Sequence, residues 1–199
     1  MVAAIMVAMD MVAISVSFSA PPTADRIDLG TKEGVAKVKG QWRFANVKIV
    51  EVPGLKPSTT TYDIDPKAQA ADFDDSQWEL VDPTTLGRAR STGKVCFCWY
   101  RIKITALPEW VGKKVELFTS VDDYGEVWVD GKLPFKVGQI NGNLICGHNV
   151  PNHVELTDVK AGKIYQIAIF AINGPISMSP KNWIFLHDTY LQISPKAVP

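Results

Sequence analysis

The sequence predicts an all-β fold, an antiparallel sandwich or barrel, and three observations lead there. Short runs rich in β-branched and aromatic residues recur along the chain, separated by Gly, Pro, Asn and Asp. No segment carries sustained helical periodicity, and nothing of crossover-helix length alternates with the strands, which argues against a parallel α/β sheet. No internal repeat is present, so a propeller is not contained in the chain.

The elements follow in order. Residues 1–19 read as a signal peptide: Met11–Phe18 is apolar, and Ser17-Phe18-Ser19 offers small residues for cleavage after Ser19. The run lacks a leading Lys or Arg, and Asp10 interrupts it. It is too short for a membrane anchor, and an ordered first strand is the other reading. Residues 20–34 read as a linker, and 35–199 as one β domain. Val38–Val52 starts that domain, with Gly40 and Asn46 as interruptions, and Pro53–Ala71 reads as a long loop. In Trp99–Ile104, Tyr100, Ile102 and Ile104 face one way, while Trp99, Arg101 and Lys103 face the other. Val115, Leu117, Thr119 and Val121 form the next stripe, ending in a turn at Asp122-Asp123-Tyr124-Gly125. Val127 and Val129 share a face before Asp130-Gly131, a strong hairpin signal. Ile164–Ile172 is apolar on both faces, as a central covered strand would be. Trp183–Ile193 closes the domain.

Hydrophobic residues make up 46% of the 199 residues, enough for a sizeable core. Lys plus Arg and Asp plus Glu stand at 21 each. Such a balance supplies no basic stripe for nucleic acid. No basic cluster accompanies an amphipathic helix, so a membrane-surface role has no support. The three cysteines are Cys96, Cys98 and Cys146, an odd number. Cys96 and Cys98 share a strand face, which leaves a Cys98–Cys146 bridge or three buried thiols.

Two stretches carry a family resemblance: Ala71-Asp72-Phe73-Asp74-Asp75-Ser76-Gln77-Trp78 with the later Trp99-Tyr100-Arg101, and Val121 to Lys132, which contains Val127-Trp128-Val129-Asp130-Gly131. Together they resemble the sugar-binding jelly roll of glycoside hydrolase family 2, a galactose-binding-like β-sandwich. Asp130 stands where that family usually has Asn, which keeps the turn chemistry. Over nearly the whole chain after residue 19, the order GQWRF, ADFDDSQWELVDPTTL, STGKVCFCWYRI, VDDYGEVWVDGKLP and INGPIS is similar to an accessory domain beside gluconolactonase-like (regucalcin-type) propellers in bacteria. The resemblance implies a companion module, with any lactonase chemistry and metal belonging to the propeller.

Asp72, Asp74 and Asp75 could ligate a structural calcium or cap their own turn. Asp122 and Asp123 point to opposite strand faces and are a poor glycosidase pair; Asp123 is better placed to pair with Arg101. His148 and His153 are five apart, His187 stands alone, and neither zinc spacing nor a Gly-x-Ser-x-Gly elbow occurs. No catalytic residue is therefore assigned. Six Trp are present: Trp42, Trp78, Trp99, Trp110, Trp128 and Trp183. Sugars pack flat C–H faces on aromatic rings and pair their hydroxyls with polar groups. Trp99 and Trp128, opposite the core stripes, are either an exposed platform or packed structure. Asn141, Asn143, Asn149 and Asn152, in the loop Gly138–Asn152, are the amide candidates, with the Asn173-Gly174-Pro175 turn behind them.

The expectation is a secreted or periplasmic, non-catalytic carbohydrate-binding accessory module. Its alternatives are a docking module for a partner propeller or hydrolase, and a free-standing lactonase or glycosidase.

Overall fold

The computed structural model describes residues 24–51, 62–93, 97–122, 124–133, 144–146, 150–173 and 182–196. It is an antiparallel β-sandwich. The strands in chain order are β1 (Asp25–Asp28), β2 (Trp42–Glu51), β3 (Tyr62–Asp65), β4 (Glu79–Val81), β5 (Arg90–Gly93), β6 (Phe97–Thr105) and β7 (Lys113–Val121). After them come β8 (Tyr124–Val129), β9 (Leu144–Cys146), β10 (Pro151–Glu155), β11 (Ile164–Ile172), β12 (Asn182–Ile184) and β13 (Leu186–Pro195). One short helix, α1 (Lys32–Lys37), is capped by the Thr31 hydroxyl, which accepts from the Gly34 amide.

The smaller sheet runs β1-β13-β7-β10. The larger runs β3-β2-β6-β11-β8-β9, with β4 also paired to β2. β11 lies between β6 and β8 with nine and six residues in register. Ile167 and Ile169 face the core between the sheets while Ala168 and Phe170 pack in a second apolar cluster on the other face, which is why the β11 sequence is apolar on both faces. Alternation then sorts the side chains. Tyr100, Ile102, Ile104, Val127, Ile167 and Ile169 meet Val115, Leu117 and Val121 in the core between the sheets. Thr119 completes that stripe, its hydroxyl bonded to the Thr189 hydroxyl at 2.8 Å.

Three expectations about the fold need correction. Pro53–Ala71, expected to be a loop, contains β3, which pairs with β2 over four residues. The stretch expected to be a linker contains β1, whose four residues pair with β13 and whose Ile27 is buried; Leu29 beyond it is fully buried. Charged flanking residues hid this short edge strand. The Cys98–Cys146 bridge is ruled out by sheet order. Cys98 lies on β6 and Cys146 on β9, with β11 and β8 between them. Three strand spacings put their Cα atoms roughly 14 Å apart, whereas a disulfide needs them within about 7 Å. Cys96 and the leader, residues 1–19, lie outside the described residues.

The Asp130-Gly131 signal is borne out: both residues have positive φ (50° and 74°), and Val129 bridges back to Lys132. Asp130 also fixes the turn to the sheet, its Oδ1 accepting from the Gln166 amide at 2.9 Å. Gly125, on β8 beside the second sheet, is required by close approach. A Cβ there would lie 2.6 Å from Val121 Cγ2 and 2.8 Å from Asn152 Oδ1. Gly125→Ala is expected to lower stability by about 1–3 kcal/mol, read as a reduced urea midpoint.

Candidate functional site

The outer face of the larger sheet is not a bare surface. Residues that alternate away from the core form a second apolar cluster with Ala68 of a segment that crosses them: Trp99, Ala168 and Phe170, flanked by Val47, Ile49, Ile64, Phe97, Tyr124, Trp128 and Ile172. The chain leaves β3 through a cis Asp65–Pro66 peptide and crosses part of this face. Arg101, on the outer face of β6 and fully buried, clamps that crossing segment. Its Nε donates to Asp75 Oδ2 at 2.8 Å, and its Nη1 donates to the carbonyls of Ala68 and Ala70. Its Nη2 donates to Phe73 O at 3.3 Å. Burial lowers the Arg101 pKa, and the Asp75 carboxylate opposes that shift. Gly131 passes close to the same segment, its position near Ala71 N and Gln69 O.

Beside this bridge lies a cleft of about 880 Å³. Its apolar wall comes from four strands and the adjoining β3: Ile49, Ile64, Phe97, Trp128, Phe170 and Ile172. Its polar groups are Asp63, Lys67, Gln69 and Glu126. Glu126 is held by both oxygens: Tyr124 Oη donates to Oε1 at 2.7 Å and Trp128 Nε1 to Oε2 at 3.1 Å. Tyr124, Glu126 and Trp128 stand on one face of β8 because they are two residues apart. Lys67 pairs with Asp63 at 3.0 Å. Gln69 carries a buried Oε1 with no hydrogen-bond partner among the described residues.

The structure separates the two Trp candidates. Trp128 lines the cleft, half-buried, with its indole N–H on Glu126. Trp99 is fully buried beneath the crossing segment, donates to Pro66 O at 2.9 Å and packs on Phe170 at 5.0 Å. It is a structural Trp and not an exposed platform. Asn152 is not a loop residue: it lies on β10, is buried, and donates to Gly125 O at 3.0 Å, tying the two sheets together. Asn141, Asn143 and Asn149 lie outside the described residues, as do Asp123 and His148.

The acidic loop behaves as a capped turn. Asp74 Oδ1 accepts from the Ser76 amide at 2.9 Å, a bond that lowers its pKa. Asp75 is engaged by Arg101 and, at 3.5 Å, by Arg43. Asp75, on the crossing segment, is thus a partner of Arg101 that the sequence did not suggest; Asp123, the expected one, lies outside the described residues. Asp72 has no bond to either arginine, and among the described residues no three His, Cys, Asp or Glu side chains are arranged to hold a metal. Asn173, buried, donates to Asp122 and Trp183 and so closes a structural corner. His153 stacks on Phe118 and lies 3.1 Å from Glu116, and His187 packs edge-on against Phe185.

Sequence reasoning missed Phe97, Phe170, Ile172, Glu126 and Gln69. Extending the alternation of Trp99 back to Phe97, and of Trp128 back to Glu126, would have placed two of them on this face.

No family model matches the chain, and no curated protein is significantly similar to it. Solved structures do share its architecture. Bacteroides uniformis β-glucuronidase superposes with a TM-score of 0.54 at 16% identity, over 87% of this chain and 18% of that one. A β-glucuronidase from glycoside hydrolase family 2 gives 0.53 at 15% identity, over 91% and 18%. The chain shares the fold of a family 2 β domain. A β-glycosidase from Bacteroides vulgatus agrees, with a TM-score of 0.53 at 16% identity over 85% of this chain and 20% of that enzyme. The likeness is one of fold, and the chain spans about a fifth of the length of these enzymes.

Proposed function

We propose that this chain is a non-catalytic carbohydrate-binding module that seats an oligosaccharide in the outer-sheet cleft. The cleft carries the reading. It combines a Trp and two Phe with a positioned carboxylate and a few further polar side chains, the mix that suits a ligand with apolar faces and many hydroxyls. Its volume of about 880 Å³ falls in the ordinary range for small-molecule sites. The family 2 fold supports the same class of ligand. The leader-like Met1–Ser19 supports export, and the resemblance to accessory domains of gluconolactonase-like proteins supports a companion role in such a system.

A glycan array followed by calorimetry tests this. Trp128→Ala is expected to weaken sugar binding about thirtyfold or more while the thermal unfolding stays cooperative. Unchanged affinity in that variant would move the site elsewhere. Turnover of a glycoside or lactone that is lost in E126Q would contradict the non-catalytic assignment.

A docking role on a partner propeller or hydrolase is the second reading. It is favoured by the recurrence of this fold as a small part of longer enzymes. Co-purification with such a partner, with no sugar bound, would select it.

A further inference from the structure

We propose that the cleft selects uncharged or amino-bearing sugars and rejects uronic acids and other anionic glycans, an inference that rests on the carbohydrate reading above. The charge inventory of the lining carries it. Among the described residues, two carboxylates, Asp63 and Glu126, face one ammonium, Lys67. Lys67 is matched by Asp63 at 3.0 Å on the exposed rim. Glu126 is left as the uncompensated charge. Its two hydrogen bonds come from neutral donors, Tyr124 Oη and Trp128 Nε1, and no cation lies within ion-pair distance of it among the described residues.

The two donors fix the carboxylate beside the Trp128 ring and leave its remaining lone pairs for a ligand. Among the described lining residues the charge without an opposite partner is thus a carboxylate, and its free lone pairs are acceptors. A sugar hydroxyl or ammonium donates to them. A uronate brings a further carboxylate against apolar walls, where screening by water is weak and like charges repel strongly.

The test uses the full chain. Calorimetry compares neutral cello- and galacto-oligosaccharides, deacetylated chito-oligosaccharides and oligogalacturonates of equal length. Wild type is expected to bind the best neutral or amino probe at least about tenfold more tightly than the galacturonate, and E126Q to narrow that ratio. Should E126Q fail to fold, a salt titration of wild type replaces it: the ratio is expected to shrink as salt rises. A ratio insensitive to salt overturns the electrostatic origin. Equal or tighter binding of the galacturonate overturns the selectivity while the carbohydrate reading stands. Binding of no probe and no arrayed sugar overturns that reading, and the inference with it.

Discussion

Replacing Arg101 with Met is expected to destabilise the protein by about 3–5 kcal/mol, since breaking a buried ion pair leaves its partner uncompensated. Arg101 is fully buried, and its guanidinium serves four acceptors on one segment: Asp75 Oδ2 and the carbonyls of Ala68, Ala70 and Phe73. Met fills similar space and serves none of them. The loss is a large share of a stability that for ordinary domains totals about 5–15 kcal/mol. Arg43 softens the effect at Asp75, which it approaches at 3.5 Å, but reaches none of the three carbonyls. The consequence extends to the cleft, because Lys67 and Gln69 sit on the clamped segment. Urea unfolding reads the stability, and limited proteolysis reads whether residues 66–78 come loose first. A midpoint close to that of wild type would show that the segment is held by other means. Asp75→Asn is expected to cost less, since Arg101 keeps its backbone acceptors.

Trp99→Ala is expected to cost about 3–5 kcal/mol, as large-to-small changes at buried aromatics do. The ring has no exposed surface, packs against Phe170 and donates to Pro66 O. Its removal leaves a cavity beneath the crossing segment and an unpaired carbonyl above it. Trp128→Ala provides the contrast, because that ring is only half-buried and faces the cleft. The two variants should therefore part company: Trp99→Ala loses stability first, and Trp128→Ala loses sugar binding first. Thermal melts paired with calorimetry separate them, and equal melting losses would contradict the division of roles.

Much of the sandwich was legible because strand alternation is a local property. The β11 limits, the stripe on β7 and the Asp130-Gly131 turn follow from residues within a few positions of one another. The jelly-roll expectation also agrees with the fold shared with the family 2 domains. The candidate site was less legible for the same reason. Alternation places Trp99 and Trp128 on one face of the larger sheet, but it does not say which ring another segment will cover. That depends on Arg101 capturing carbonyls some 30 residues earlier in the chain. Asn152 was misplaced because a run rich in Asn and Gly reads as loop, yet Pro151–Glu155 pairs with β7 over five residues. The cleft itself draws one or two residues from each of β2, β3, β6, β8 and β11 and two from the crossing segment, a set with no signature at any one point in the sequence.

An amide and indole NMR titration with the tightest ligand from the array locates a sugar held on the outer face of the larger sheet beside Trp128. The Trp128 indole N–H is expected to shift together with amides of β8, β11 and the 63–69 segment, while the Trp99 indole, shielded under Pro66, moves little. Perturbations confined to the smaller sheet, or a Trp128 indole that stays still at saturation, would contradict that location.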